Sequence, residues 1–507
     1  MDKKLFFGVV GVLLATMASE FNDQVTAIAL VDVRGGFSIS RDPGTWIQSL
    51  YVSAEIVGMA VSPWMLVTFT LRRWTLFSIA LCGVSSALIP FSPNIEAIYA
   101  LRLMQGFAGG LLIPLLMTTA LRVFSIPNLR IYGLAIYALT AGFTSGLGAS
   151  LAALWTDIVD WRFIFFEAIP AMVLAGALVW YGESQDEPRY ERFHIMDWRG
   201  LLLLIVGFGA FSTMLYQGDR FDWFNSKFIC VLALVSAVAI PLFLLNEWRH
   251  PLPLIKLQLL GRRNIAYGCI ALFTFLIIAQ SGATVPLEYL QTTQGYRPLQ
   301  AQLVTLEVAL PQLLLLPAVA YVLDFDVDPR LVSLIGLGLM IVSCVGSSFV
   351  DYTWNRDQFF FWQAFQVLGQ PMVTMSLLEL TTNAVKGPEE APFVSALINT
   401  PRALSEAVAV WLLQLIARWR GALHSDRIVD QIGQNRFELA LNTASFGVPP
   451  TPTNPAGALS LAVEQQVTVL TIADTYLILG ALAALLMVVV VLLPVHTPPP
   501  RIVLTRG

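Results

Sequence analysis

Apolar runs recur from one end of this 507-residue chain to the other, each about 20 residues long and so able to cross roughly 30 Å of hydrocarbon as a helix. Nothing else in the sequence limits the fold so sharply. Inside lipid a backbone N–H or C=O has no water to bond, so each run must satisfy its own backbone as a helix. A transmembrane barrel would need alternating strands of about 10 residues, and no such alternation is present. Composition agrees. Hydrophobic residues make up 56% of the chain and charged residues 13%, about half the charged share of a soluble domain, and the mean hydropathy is +0.69.

Fourteen spans are expected, at 5–31, 45–70, 75–92, 96–121, 131–154, 163–182, 200–216, 228–245, 264–286, 300–323, 331–350, 358–384, 393–417 and 472–493. The first continues past residue 30 with no small-residue cleavage site, so it reads as an uncleaved span and not a signal peptide. With the N-terminus inside, about seventeen Lys and Arg fall on the cytosolic side, among them Arg72, Arg73, Arg189, Arg192, Lys386, Arg501 and Arg506, against about seven outside. That asymmetry predicts an inner (cytoplasmic) membrane protein with both termini in the cytosol. Residues 418–471 form a long outer loop, with an amphipathic helical stretch near HSDRIVDQIGQNRFELALN and then GVPPTPTNPAG. It is either a solvated connector or a docking surface for a periplasmic partner.

Several chemistries are disfavoured. Cys82, Cys230, Cys269 and Cys344 lie in apolar runs without CxxC spacing, as core side chains would, so neither a disulfide nor zinc is indicated. His194, His250, His424 and His496 are scattered, with no metal-ligand spacing. No GxxxxGK[ST] motif is present, so ATP is not the expected driving force. No cofactor, no metal and no nucleic-acid partner is expected.

At 99–114 the sequence YALRLMQGFAGGLLIP carries Arg-x-x-Gln-Gly followed by small residues, with Arg102, Gln105, Gly106, Gly109 and Gly110 in register. This resembles the fourth-helix motif of the major facilitator superfamily, and fourteen spans resemble its EmrB/QacA-type drug:proton antiporter branch. GTWIQSLY, WRFIFFEAIP, GDRFDWF, PLIKLQLLGRRNIAYGC, NTPRAL and TIADTYLI are similar to family segments in the same order, so the resemblance covers essentially the whole chain. It implies an all-α membrane protein: six helices in 1–182, two extra helices in 183–263, six more in 264–494, and a tail at 495–507. This is a divergent member. The loop after the second span keeps only Arg72 and Arg73 of its usual motif, with Pro63 at the glycine position. The fifth-span motif keeps Gly142, Gly146 and Gly148, but Ala149 replaces the proline, which predicts loss of the kink. In the first span Asn22 stands where the family has aspartate, beside Asp23 and Glu20. FWQAFQVLGQPM in the twelfth span echoes the fourth, with Gln363 and Gln366 spaced as Arg102 and Gln105 are.

An ionisable group at the bilayer centre costs about 2.5–3.5 kcal/mol and marks a pathway or relay by default. Glu20 and Asp23 are three apart and share a face of the first span. Glu55 lies about 15 Å into the second. With Arg102 they are the proton-coupling candidates. Matched depths pair Arg102 with Asp23 first and Glu20 second. Glu307 is undecided. Glu379 and Asp474 lie near span ends, where snorkelling or capping suffices. Arg402 and Glu406 are four apart and are either a self-neutralising pair or part of a cavity. Substrate contact is expected from Glu20, Glu55, Gln105, Gln363 and Gln366. Conformational roles fall to Arg72, Arg73, Gly142, Gly146, Gly148, Arg402 and Glu406.

The resemblance implies a proton-coupled exporter of small amphipathic or drug-like compounds, working by alternating access. A siderophore or natural-product exporter of the same fold is the alternative, and a membrane sensor or an enzyme on a lipid-linked substrate is a different class. Expected partners are substrate, protons and lipid, with a periplasmic adaptor and an outer-membrane channel left open.

Overall fold

The computed structural model describes residues 3–123, 127–185, 187–325, 327–385, 390–434 and 455–492. Lys386, residues 435–454 of the expected outer loop, and the tail with Arg501 and Arg506 lie outside the described residues. Among those described there are fourteen helices of fifteen or more residues and no strand. They are α1 (Lys3–Ile28), α2 (Arg41–Phe69), α3 (Leu71–Leu88), α4 (Ile95–Val123), α5 (Pro127–Leu154), α6 (Ala168–Gly182), α7 (Trp198–Gln217), α8 (Lys227–Arg249), α9 (Arg263–Ala279), α10 (Pro298–Asp324), α11 (Pro329–Ser347), α12 (Arg356–Thr382), α13 (Ala391–Gln434) and α14 (Pro455–Val491).

A long helix lies at each of the fourteen expected spans. Eleven stretches are long and apolar enough to cross a membrane, and twelve if the bent α5 is counted. The other two, α12 and α13, have 27 and 44 residues. They are less apolar because they carry Gln363, Gln366, Gln370, Arg402 and Glu406 toward the protein interior. Three expected boundaries are corrected. The ninth span does not stop at 286: after a break at 280–282 it resumes as a short helix, Thr284–Thr292. The stretch beginning at His424 is no separate helix, since it continues α13 to Gln434. The fourteenth span begins not at 472 but at Pro455, so 418–434 and 455–471 of the expected outer loop are helix.

Glycines set how closely the helices approach. A Cβ on Gly106 would fall 2.2 Å from the Tyr51 carbonyl oxygen, and one on Gly110 would fall 2.2 Å from that of Glu55. With Gly58 facing Phe107 in return, α2 and α4 touch backbone to backbone, the small-residue packing that holds helices together in lipid. Gly106→Leu is expected to wedge them apart and cost about 1–3 kcal/mol, as overpacking does. The readout is the melting temperature of the purified protein in detergent; an unchanged value would contradict this packing.

The first six helices meet the last six along α2–α13 and α5–α10. Gly146 makes the second contact possible, since a Cβ there would lie 2.3 Å from that of Ala309. The expected loss of the α5 kink is overturned: the helix bends by 47° between Thr144 and Gly146. Without proline, the bend follows a Ser-Gly pair, which kinks helices. The Thr144 hydroxyl, which donates to the Thr140 carbonyl inside the turn, bends them further. Gly148 lets α5 approach Gln24 of α1, whereas a Cβ on Gly142 would stand 3.6 Å from Gln312, an ordinary contact. Toward the end of the bundle that holds the start of α1, the two sets of six are sealed together. Tyr137 donates to Asn399 Oδ1 at 2.6 Å, and the Ser395 hydroxyl donates to the Pro114 carbonyl at 3.0 Å.

α7 and α8 stand outside this bundle, and α7 leans on α2. Ser53 and Ser212 share a 2.7 Å hydrogen bond, and Gln217 donates to Ser49 at 3.2 Å. Their connecting loop is tied at both sides: Arg220 pairs with Asp42 at 3.4 Å, and Arg418 of α13 pairs with Asp219 at 3.7 Å and with Asp222.

Candidate functional site

A cavity of about 470 Å³ lies between the two sets of six helices. Its lining reaches Ile28, Tyr216 and Thr292 at helix ends, away from the sealed end. Charged groups enter it from α1 (Glu20, Asp23), α13 (Arg402, Glu406) and the short helix after α9 (Glu288).

Arg102 anchors one wall. It is fully buried, and an arginine cannot shed its proton to escape that cost, so the surroundings must compensate it. Nη2 lies 3.3 Å from Asp23 Oδ1 and donates to Gln48 Oε1 at 3.1 Å. Nη1 donates to Gln105 Oε1 at 2.7 Å, and Nε to the Ile47 carbonyl at 3.2 Å. The guanidinium sits 4.3 Å over the Tyr51 ring. Asp23 is thus the partner that matched depth indicated, and Gln48 also donates to it at 3.0 Å. Behind them Gln105 donates to Asn22 Oδ1 and, at 2.7 Å, to Ser86, while Asn22 donates to the Ile164 carbonyl at 2.7 Å. Asn22 serves as a neutral strut where the family has a carboxylate.

The second anchor differs from expectation. Arg402 does not turn to Glu406, one turn along its own helix. Its Nη2 lies 3.0 Å from Glu20 Oε2 of α1, which ties the last six helices to the first six across the cavity. Glu20 and Arg402 line the same cavity from α1 and α13, which lets them meet. Glu406 is left in the lining without an ion-pair or hydrogen-bond partner among the described residues, and so is the side chain of Glu288.

Other expected residues stand back from the cavity. Glu55 is buried, with Oε2 unpartnered; it feels Glu406, Asp23 and Glu20 electrostatically but is not in the lining. Gln105, Gln363 and Gln366 are also behind the wall. Gln366 donates to Ser281 of the α9 break at 2.9 Å, much as Gln105 donates to Asn22 of α1, and Gln370, one turn on, takes the cavity-lining position. Arg72 stacks 4.3 Å over Trp180, and Arg73 donates to the Tyr190 hydroxyl at 3.1 Å; both sit at the α2–α3 turn, far from the cavity. Glu307 is outside the lining too. Asp474 needs no snorkelling, because Arg420 and His424 of α13 each lie 2.6 Å from it. Glu288, Tyr216 and Gln312, none of them among the expected site residues, also line the cavity. Glu288 lay two residues beyond the expected end of its span, and Tyr216 was the last residue of its own.

A family model described as Major Facilitator Superfamily matches residues 12–279, just over half of the chain. The chain belongs to the Major Facilitator Superfamily. It is therefore a multi-pass membrane transporter and not an enzyme. This facilitator is 26% identical to the fatty acid resistance protein FarB of Neisseria gonorrhoeae over 89% of each chain. It is 27% identical to the multidrug export protein EmrB of Haemophilus influenzae, covering 90% of this chain and 88% of that one. Among solved structures, a POT family transporter superposes with TM-score 0.61 at 13% identity over 94% of this chain and 95% of its own. The proton:xylose symporter XylE superposes with TM-score 0.55 at 11% identity over 97% of both. These structures show the facilitator fold alone.

Proposed function

We propose that this facilitator is a proton-coupled exporter of small amphipathic compounds in an inner membrane, with both termini cytosolic. Its halves, 1–182 and 264–494, rock about the cavity, and 183–263 supplies two accessory helices. The observation that carries the reading is the Glu20–Arg402 pair, because it joins the two halves at the cavity wall. Protonating Glu20 would remove the charge that Arg402 holds and free one half from the other. Glu406, close by and unpartnered, accepts either a proton or a cationic group, and that exclusion is what antiport requires. Asp23 with Arg102, and Glu55 behind them, extend the acidic cluster. The printed names of FarB and EmrB support export of amphipathic compounds. A periplasmic adaptor has a surface available where α13 and α14 run past the bilayer.

The test is transport by purified protein in proteoliposomes under an imposed proton gradient. Wild type is expected to move an amphipathic dye against its gradient, and Glu406→Gln to lose at least tenfold of that flux. Dye flux unaffected when the proton gradient is collapsed would overturn the coupling.

A further inference from the structure

A second cavity, of about 560 Å³, lies beside the first, between the short helix Thr284–Thr292, α13 and α14. Glu288, Thr292 and Leu413 belong to both linings, so the two spaces share a wall and a threshold. The second lies high in the protein. Leu413 is about 33 Å along α13 from Ala391, and Glu464 is about 40 Å along α14 from Val491, at or past the roughly 30 Å of hydrocarbon. Thr475, in the same lining, is about 24 Å along α14 from Val491, so in the orientation proposed above the groove straddles the outer membrane–water boundary.

Its chemistry is one-sided. The lining holds two carboxylates, Glu288 and Glu464, and no Lys, Arg or His. Neither carboxylate has a side-chain partner among the described residues; at both positions only the backbone carbonyl accepts a bond. Between them come apolar Val285, Leu413 and Leu461 and a row of threonines. Thr468, Thr471 and Thr475 fall on one face of α14, and each hydroxyl donates into its own helix, to the carbonyls of Glu464 (2.8 Å), Val467 (2.7 Å) and Thr471 (2.8 Å). Thr292 does the same to the Glu288 carbonyl at 2.7 Å. With their protons committed, these hydroxyls offer only lone pairs. Thr293 keeps an uncommitted, buried Oγ1, and Gln465 adds an amide that can donate as well as accept. With two carboxylates, no cationic side chain, mostly acceptor oxygens and apolar strips, the surface favours an organic cation with an alkyl body over an anion.

We propose that this groove is an exit site for elongated amphipathic cations, which leave the main cavity past Glu288 and pause with the cationic head near Glu464 before release. The proposal rests on the export reading and adds to it a route and a charge class.

The test uses the full chain in lipid nanodiscs, with dodecyltrimethylammonium as probe and dodecyl sulfate and dodecanol as controls. Cys82, Cys269 and Cys344 are buried and Cys230 is exposed, so the background carries Cys230→Ser, and Thr468→Cys reports on the groove. Dodecyltrimethylammonium is expected to slow alkylation at position 468 about tenfold, and the controls to leave it unchanged. Adding Glu288→Gln or Glu464→Gln should each remove most of that protection. Equal protection by dodecyl sulfate, or full protection surviving both glutamine variants, would overturn the groove. So would no protection at 468 in a protein whose proteoliposomes still export the cation, and that result would leave export standing. Protection at 468 with no proton-driven flux of the cation would instead support the site and sink the export reading.

Discussion

Arg102→Ala is expected to abolish transport and to lower stability by about 3–5 kcal/mol, the cost of removing one partner of a buried ion pair. The substitution strands the Asp23 carboxylate and also the Ile47 carbonyl, Gln48 and Gln105, which all accept from the same guanidinium. Arg102→Lys should recover little, because an ammonium cannot reach several acceptors in a plane or stack on Tyr51 as a guanidinium does. Exchanging Arg102 and Asp23 restores the charges but not that fork, so it should rescue only a fraction of the activity. Asp23→Asn should be milder than Arg102→Ala, since Gln48 and Gln105 still hold the guanidinium. Melting in detergent and flux in proteoliposomes read both effects. An Arg102→Ala protein that melts like wild type and transports at half its rate or better would show that the network is dispensable.

The second large effect is expected at the pair that crosses the cavity. Glu20→Gln and Arg402→Ala should each cut proton-driven flux at least tenfold, and the double variant should be no worse than the poorer single one. Non-additivity of this kind marks two residues that act through one interaction. Glu406→Gln provides the contrast: it leaves the 3.0 Å contact in place, so its loss should combine with that of Glu20→Gln. If the effects of Glu20→Gln and Arg402→Ala simply multiply, each residue works alone and the pair does not gate the halves.

Helix positions and the Arg102–Asp23 contact were legible in the sequence because both depend on depth along a helix, which residue counting supplies. The Glu20–Arg402 pair joins residues 382 positions apart, and no local spacing announces it; the nearer Glu406 drew the eye because i,i+4 pairs are the ones a linear sequence shows. The partners of Asp474 were hidden for the same reason, as they lie on another helix. The glutamines of α4 and α12 were correctly noticed as polar groups in lipid. Polarity alone, however, does not separate a side chain facing a cavity from one satisfied behind its wall, as Gln105 and Gln366 are. The α5 bend escaped because proline was taken as its cause, when a Ser-Gly step and a hydroxyl bond supply it.

At 44 residues, α13 is about 66 Å long, so about half of it stands clear of a hydrocarbon layer about 30 Å thick. Arg420 and His424, both held to Asp474, brace it against α14 as a strut. Such a strut is a lever: any tilt of its half within the membrane is amplified at the tip in proportion to the length that protrudes. If the halves rock as proposed, a spin label or fluorophore placed near Gln434 is expected to swing farther than any point inside the bilayer, and the tip would then serve as a pointer to the stage of the cycle.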